Sequence, residues 1–319
     1  MGAAVLAVLA LLLVACGSSG TKKAANTTVP GSSSGASLPT VPGPKVHVTI
    51  ASFNFAESAI LASIYERALR ARGYDVSLRR NLGSREVVEP ALERGEIDMY
   101  PGYAATELEF VNKGAGEASS DVTATVGKLR ERLGPKGITT AVPSPAVDTN
   151  AFAVTKATAD KNKLKNLSDL TPLASNMVLG GPPECPTRPF CAAGLQRVYG
   201  LRFKSFRPLD AGGPLTKAAL EHGDIDVGLI FSSDGAIAAR GFVVLDDDKH
   251  LQNADNVVPV LRSSVATPEV TSALNRVSEA LTTADLIALN KRSDVDHEDP
   301  DVLAQQWLKD HDIVRGQGG

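Results

Sequence analysis

From residue 46 onward the apolar positions alternate between two periods. VHVTIA (46–51) reads as a strand, and Ile60, Leu61, Ile64, Ala68 and Leu69 recur at helical spacing as one buried stripe that Gly73 ends. YDVSLRR is the next strand, VVEPALERG a helix in which Pro90 is tolerable only in the first turn, and EIDMY a third strand. The same order returns further on: MVLGG, a helix through AAGLQRVYG, the strand LRFKSFRP, the helix LTKAALEHG and the strand DIDVGLIF. ALERGEIDMY (91–100) and ALEHGDIDVG (219–228) are identical at six of ten positions, with Gly95 answered by Gly223, Ile97 by Ile225 and Asp98 by Asp226. Each half is a βαβαβ unit, which predicts an α/β fold with parallel sheets covered by helices.

In open sheets of this kind, ligands bind at loops beyond the carboxyl ends of the strands. In the first half those loops are SFNFAES (52–58), NLGSRE (81–86) and YPGYAAT (100–106). In the second they are GPPECPTRPF (181–190), LDAGGPL (209–215) and FSSDGAI (231–237). Under one register Asn81 falls on Leu209 and Tyr103 on Phe231, so two equivalent lobes are expected to face each other over a single cleft. Toward the C-terminus Thr267 before Pro268 starts a helix with the stripe Val270, Leu274, Val277 and Leu281. Asp299 before Pro300 starts the last one, with Val302, Leu303 and Trp307 on its apolar side and Trp307 as a packing anchor.

The first fifteen residues, MGAAVLAVLALLLVA, are apolar, uncharged and too short to span a bilayer comfortably, and they stop at Cys16. LVAC-GSS resembles a bacterial lipobox, which implies a signal peptide over 1–15 and lipid on Cys16. No Lys or Arg precedes the apolar run, as would be the case if the true start lay upstream of Met1. Residues 16–44 are dominated by Gly, Ser, Thr, Ala, Pro and Val and cannot bury enough apolar area to offset their ordering entropy. They are expected to act as a flexible tether spanning on the order of 30 Å.

A net charge of −3, from 33 basic and 36 acidic residues, leaves no basic stripe for nucleic acid. Beyond Cys16 only Cys185 and Cys191 remain, in PPECPTRPFC. Outside the cytosol such a pair is expected to oxidise to a short-loop disulfide, worth roughly 2 to 3 kcal/mol by loop-closure entropy. A zinc pair is the alternative, against which stand Pro186, Pro189 and the lack of a nearby His.

Five blocks, in order, resemble the extracytoplasmic substrate-binding proteins of ABC importers for glycine betaine, choline and related osmoprotectants. They are SFNFAESAILASIYERALRARGYDV, NLGSREVVEPALERGEIDMYPGYAAT, PPECPTRPFCAAGLQRVYGLRF, GDIDVGLIFSSDGAI and VVLDDDKHLQNADNVVPVLR. The resemblance runs from about residue 45 to 314. It implies a two-lobed clamshell, like other periplasmic binding proteins, with two crossover hinges near 148–152 and 256–258. Lobe 1 would comprise 45–149 plus 257–319, and lobe 2 would comprise 150–256. It further implies a small-molecule ligand, an ABC permease as partner, and an extracytoplasmic location at the membrane through the lipid on Cys16.

Quaternary ammonium groups donate no hydrogen bond, so proteins hold them against aromatic faces. Tyr103 matches a ligand-facing tyrosine of the family, Phe231 is its mirror partner, and Phe55 completes the expected wall, with Phe53 and Tyr100 nearby. Arg188 matches an arginine that opens a helix in the family and meets a ligand carboxylate, braced here by the Cys185–Cys191 bridge. Asn54, Ser84, Thr106, Asn150, Ser233 and Asp234 are the expected polar contacts. Departures weaken the match to a bare trimethylammonium. VDTNAF places Asp148 and Asn150 where the family commonly has a tyrosine, Thr216 and Lys217 replace another, and aromatic residues make up only 5% of the chain. The same receptor role with a different polar or aromatic ligand is therefore an alternative, and a surface sensing module without transport is a further one.

Catalysis is not expected. No nucleophile elbow stands on a strand-to-helix turn of the folded part, the five histidines (47, 222, 250, 297 and 311) are scattered, and NLGSR is too short for a phosphate loop. His222 among Glu221, Asp224 and Asp226 reads as a solvated turn, and Asp246, Asp247 and Asp248 lack the spacing of a calcium loop. No metal or cofactor is expected.

Overall fold

The computed structural model describes residues 46–237 and 239–314; the apolar leader, Cys16 and the tether lie outside the described residues. In the first half the chain forms β1 (His47–Phe53), α1 (Ala56–Arg70), β2 (Asp75–Gly83), α2 (Arg85–Glu93), β3 (Met99–Tyr103), α3 (Ala104–Val111), α4 (Val122–Leu133) and β4 (Ile138–Thr140). It then crosses into β5 (Asn150–Thr155), α5 (Lys156–Asn162), β6 (Val178–Gly181), α6 (Ala192–Gly194), β7 (Ser205–Pro208), α7 (Pro214–Glu221), β8 (Val227–Phe231) and β9 (Phe242–Leu245). After crossing back it adds β10 (Val257–Arg262), α8 (Pro268–Ala280), α9 (Thr283–Asp294) and α10 (Pro300–Asp310).

The strands assemble into two five-stranded sheets, ordered β2-β1-β3-β10-β4 and β7-β6-β8-β5-β9. The orders correspond position by position, so the duplication seen in the letters is a duplication in space. Its repeated residues do the same work twice. Gly95 and Gly223 take φ of 72° and 75°, where a side chain would be strained. Asp98 Oδ2 then accepts from the Thr49 N–H, and Asp226 Oδ2 from the Val178 N–H, each at 2.8 Å. Each aspartate thus ties the start of its strand to the neighbouring one.

The strands of each βαβαβ unit are parallel as expected, and each sheet is extended by strands that run the other way. β1, β2 and β3 are parallel, as are β6, β7 and β8, but β10 and β5 run antiparallel to their neighbours, so both sheets are mixed. A chain that enters a sheet at the end where the parallel strands finish can only run back along them. Accordingly Asn150, first in β5, pairs with Phe231, last in β8, and Val257, first in β10, pairs with Tyr103, last in β3. The two crossings run side by side, joined by the bridge Val147–Asn256 and by the Asp148 N–H on the Asp255 carbonyl at 3.1 Å.

Other elements shift. α2 starts at Arg85, which puts Pro90 in its second turn, not its first. The strand read over LRFKSFRP is only β7, and the helix through AAGLQRVYG is a three-residue α6 continued by a π turn, Leu195–Tyr199. α8 is capped by Thr267 as expected, its side chain accepting from the Val270 N–H. In α10 Leu303, Ala304, Trp307 and Leu308 are buried, but Val302 is 54% exposed and not on the apolar side. α1 buries Ile60, Leu61, Ile64, Ala68 and Leu69 between the first sheet and the C-terminal helices. Each buried Ile or Leu among them is worth roughly 1.5–3 kcal/mol, so the loop carrying Asn54 and Phe55 starts from a rigid support.

Candidate functional site

The strand ends of both sheets converge on a cleft of about 620 Å³, counted out to its open mouth. Eight of the ten expected contact residues line it: Asn54, Phe55, Ser84, Tyr103 and Thr106 from the first half, and Asn150, Arg188 and Phe231 from the second. Three rings form a continuous wall across the two lobes. Phe55 lies 5.1 Å from Phe231 and 6.1 Å from Tyr103, centroid to centroid, and Phe53 stacks on Phe55 at 5.8 Å. Tyr103 reaches the wall because β3 ends there, and its hydroxyl donates to Glu57 Oε1 at 2.6 Å.

Ser233 and Asp234 do not line the cleft, which corrects that part of the expectation. The turn after β8 folds back onto α9, so closely that a Cβ on Gly235 would stand 2.5 Å from the Lys291 side chain. Ser233 gives its hydroxyl to Glu57 Oε2 at 2.6 Å, and Asp234 pairs with Lys217 at 2.7 Å. Lys217, only 3% exposed, also meets Asp294 at 2.6 Å. Asn290 of α9 closes the network, donating to Glu57 Oε2 at 2.6 Å and to the Ser233 carbonyl at 3.1 Å. These groups link the lobes behind the aromatic wall, next to the Asp148 crossing.

Arg188 lines the cleft without opening a helix. Pro189 confines the residue before it to extended backbone, φ −77° and ψ 137°, and α6 begins only at Ala192. No ladder of helical N–H groups therefore backs it. The Cys185–Cys191 disulfide is present, S–S 2.01 Å and Cα–Cα 5.2 Å, and both cysteines line the cleft beside Arg188. Asn150 braces the same loop by donating its amide to the Phe190 carbonyl at 3.1 Å.

Sequence reasoning did not select several groups that shape the site. Arg85 and Glu107 form a buried ion pair at 2.8 Å, with the Tyr100 hydroxyl donating to Glu107 at 2.8 Å and the Arg85 guanidinium 4.9 Å from the Phe53 ring. Asp255 lines the cleft and accepts from both the N–H and the hydroxyl of Thr106. Asp148, also lining, takes the Ser233 N–H at 2.9 Å and the Ser232 hydroxyl at 3.2 Å, both on Oδ1. Glu57 stands in the first turn of α1, where the dipole favours an acidic side chain. Its burial could be recognised only once Tyr103, Ser233 and Asn290 were placed around it.

Burial pushes the carboxyls of Glu57 and Asp148 up, and for Asp148 the neighbouring Glu57 charge adds to it. Among the described residues neither has a Lys or Arg partner within ion-pair distance. Burial likewise lifts Asp255 to about 6, against the hydrogen bonds from Thr106 and the attraction of Arg85. Because the folded chain holds this proton more tightly than the unfolded one, the group favours folding at low pH, and that contribution is lost as pH rises from about 4 through about 6. Urea unfolding of wild type and Asp255→Asn across this range is expected to show the wild-type advantage shrinking as pH rises; a constant difference would refute it.

Two α/β lobes joined by paired crossings, with a ligand-sized cleft lined from both sides, define a solute-binding receptor of the clamshell class. The family model for the substrate-binding domain of ABC-type glycine betaine transport systems matches residues 46–310, and the chain belongs to this family. It is similar to a glycine-betaine-binding protein of Pseudomonas aeruginosa, 28% identical over 282 residues that cover 83% of this chain and 89% of that one. The glycine betaine-binding protein YehZ of Escherichia coli is 27% identical over 266 residues, covering 79% and 87%. A crystal structure described as a glycine betaine/carnitine/choline ABC transporter superposes with a TM-score of 0.65 at 28% identity, covering 84% of this chain and all of the other. The protein is thus an extracytoplasmic substrate-binding protein of an ABC importer, of the glycine betaine transport family, and works with a permease.

Proposed function

We propose that the cleft holds the cationic head of a quaternary-ammonium osmoprotectant, such as glycine betaine, choline or a related compound, against Phe55, Tyr103 and Phe231. The observation that carries this reading is the ring wall assembled from both lobes beside two buried carboxyls, Glu57 and Asp148, that among the described residues have no basic partner. Aromatic faces attract such a cation, and its charge beside Asp148 and Glu57 would in turn favour their ionised form, which burial alone opposes. Asn54, Ser84, Thr106 and Asn150 supply polar edges, and Arg188, also in the lining, takes an anionic group of the ligand. The binding proteins of Pseudomonas aeruginosa and Escherichia coli carry glycine betaine in their names, which supports the ligand class.

A second reading, a hydroxylated or N–H-bearing ammonium, is favoured by Asp148 and Asn150 in the lining, since both can hydrogen-bond to such a group. Lobe 1 would comprise 45–149 plus 257–319 and lobe 2 would comprise 150–256. Residues 1–15 would be removed as a signal peptide, Cys16 would carry lipid, and 16–44 would link it to the lobes. The test is a thermal-shift and calorimetry panel of glycine betaine, choline, carnitine, amino acids and phenolic compounds. A rise in melting temperature with quaternary ammonium compounds is expected; silence toward all of them would reject the ligand class.

A further inference from the structure

Arg188, the group expected to take a ligand's anionic end, already holds carboxylates. Its Nε and Nη2 reach Glu86 Oε1 at 3.3 and 3.1 Å, and Nη2 reaches Glu86 Oε2 at 2.8 Å. Glu184 approaches the same Nη2 at 3.3 Å. Glu86 belongs to α2, beside the first sheet, whereas Arg188 belongs to the disulfide loop of the second, so this fork joins the two lobes at the cleft. Both partners are held in place: the Ser84 hydroxyl donates to Glu86 Oε2 at 2.6 Å, and Pro189 with the disulfide fixes the backbone of Arg188. Burial is the strongest single influence on Glu86 and opposes its charge, but the hydrogen bonds and attraction of Arg188 together with the Ser84 hydroxyl leave its pKa lowered.

We propose that Glu86 is a built-in stand-in for a ligand carboxylate, closing the unliganded lobes on Arg188 and setting the site against ligands that bring a carboxylate of their own. A betaine-like zwitterion reaching Arg188 meets two carboxylates already there and must turn Glu86 out. A choline-like cation carries no such group, leaves the fork intact and closes the lobes with it. Glu86 therefore tunes specificity within the cleft described above, and this half of the proposal rests on the quaternary-ammonium reading. Closure without ligand does not.

The test is Glu86→Gln, which keeps the shape of a 42%-exposed side chain and removes its charge. Calorimetry is expected to show glycine betaine binding about tenfold tighter than to wild type, the scale of one charge-assisted contact, with choline unchanged or weaker. Small-angle X-ray scattering of the ligand-free variant is expected to give a larger radius of gyration than wild type. Unaltered betaine affinity, or equal gains for both ligands, overturns the specificity role, and identical ligand-free scattering overturns the closing role. If wild type binds neither ligand, the ligand class fails, and the scattering alone decides the role of Glu86.

Discussion

Replacing Arg85 with alanine is expected to lower the stability of the protein by about 3–5 kcal/mol, the cost of leaving a buried charge without its partner. Arg85 is 5% exposed and Glu107 is fully buried, and among the described residues Arg85 is the one cation paired with Glu107. Alanine leaves the Glu107 carboxylate in a low-dielectric interior with only the Tyr100 hydroxyl against it. It also removes the guanidinium packed over Phe53. The change would appear as a fall in the midpoint of urea unfolding and in melting temperature. Adding Glu107→Gln to Arg85→Ala removes the stranded charge while leaving an acceptor for Tyr100, so the double variant is expected to recover much of the loss. A cost under about 1 kcal/mol for Arg85→Ala would show that the pair is solvated in a way its burial denies.

The second large effect is expected in binding. Phe231→Ala should weaken choline about 30-fold, corresponding to the roughly 2 kcal/mol that a desolvated cation–π contact contributes. Phe231 is the ring through which the second lobe joins the wall, 5.1 Å from Phe55, so its loss opens one whole side of the cation's enclosure. The neutral isostere 3,3-dimethylbutanol supplies the control: it has the same shape without the charge, so its already weaker binding should fall by less than that of choline. Equal losses for the two would mean that the ring acts by shape alone. Folding is not at stake, because Phe231 is partly exposed and stands at a strand end.

How much of this was legible beforehand follows the range of the interactions involved. The helix stripe from Ile60 to Leu69, the cap at Thr267 and the glycines after the repeated helices depend on neighbours a few positions away, and a string of letters displays those directly. The duplication was equally visible, and with it the placement of Tyr103 and Phe231 at equivalent strand ends, since strand ends follow from the local pattern. The disulfide was within reach because only two cysteines compete for it in the folded part.

Other features arise from pairs that no local pattern announces. Val302 sits among apolar neighbours in the text, yet the helix turns it to solvent because Leu303, Ala304, Trp307 and Leu308 form the stripe that packs. Ser233 and Asp234 stand beside Phe231 and read as cleft residues, but a turn against α9 carries them behind the wall to Glu57 and Lys217.

Amino-acid order alone was enough to establish two copies of an α/β half and the rings at their strand ends, because each rests on periodicity and short spacing, while five blocks of text carried the resemblance to the family. Three-dimensional packing settled which charges meet: Arg85 with Glu107, Lys217 with Asp234 and Asp294, and Arg188 with Glu86. It also settled the reversed direction of β5 and β10. The reason is common to all of these. A charge or a strand is satisfied by whatever the chain brings alongside it in space, and across two crossings between lobes that partner bears no fixed relation to distance along the sequence.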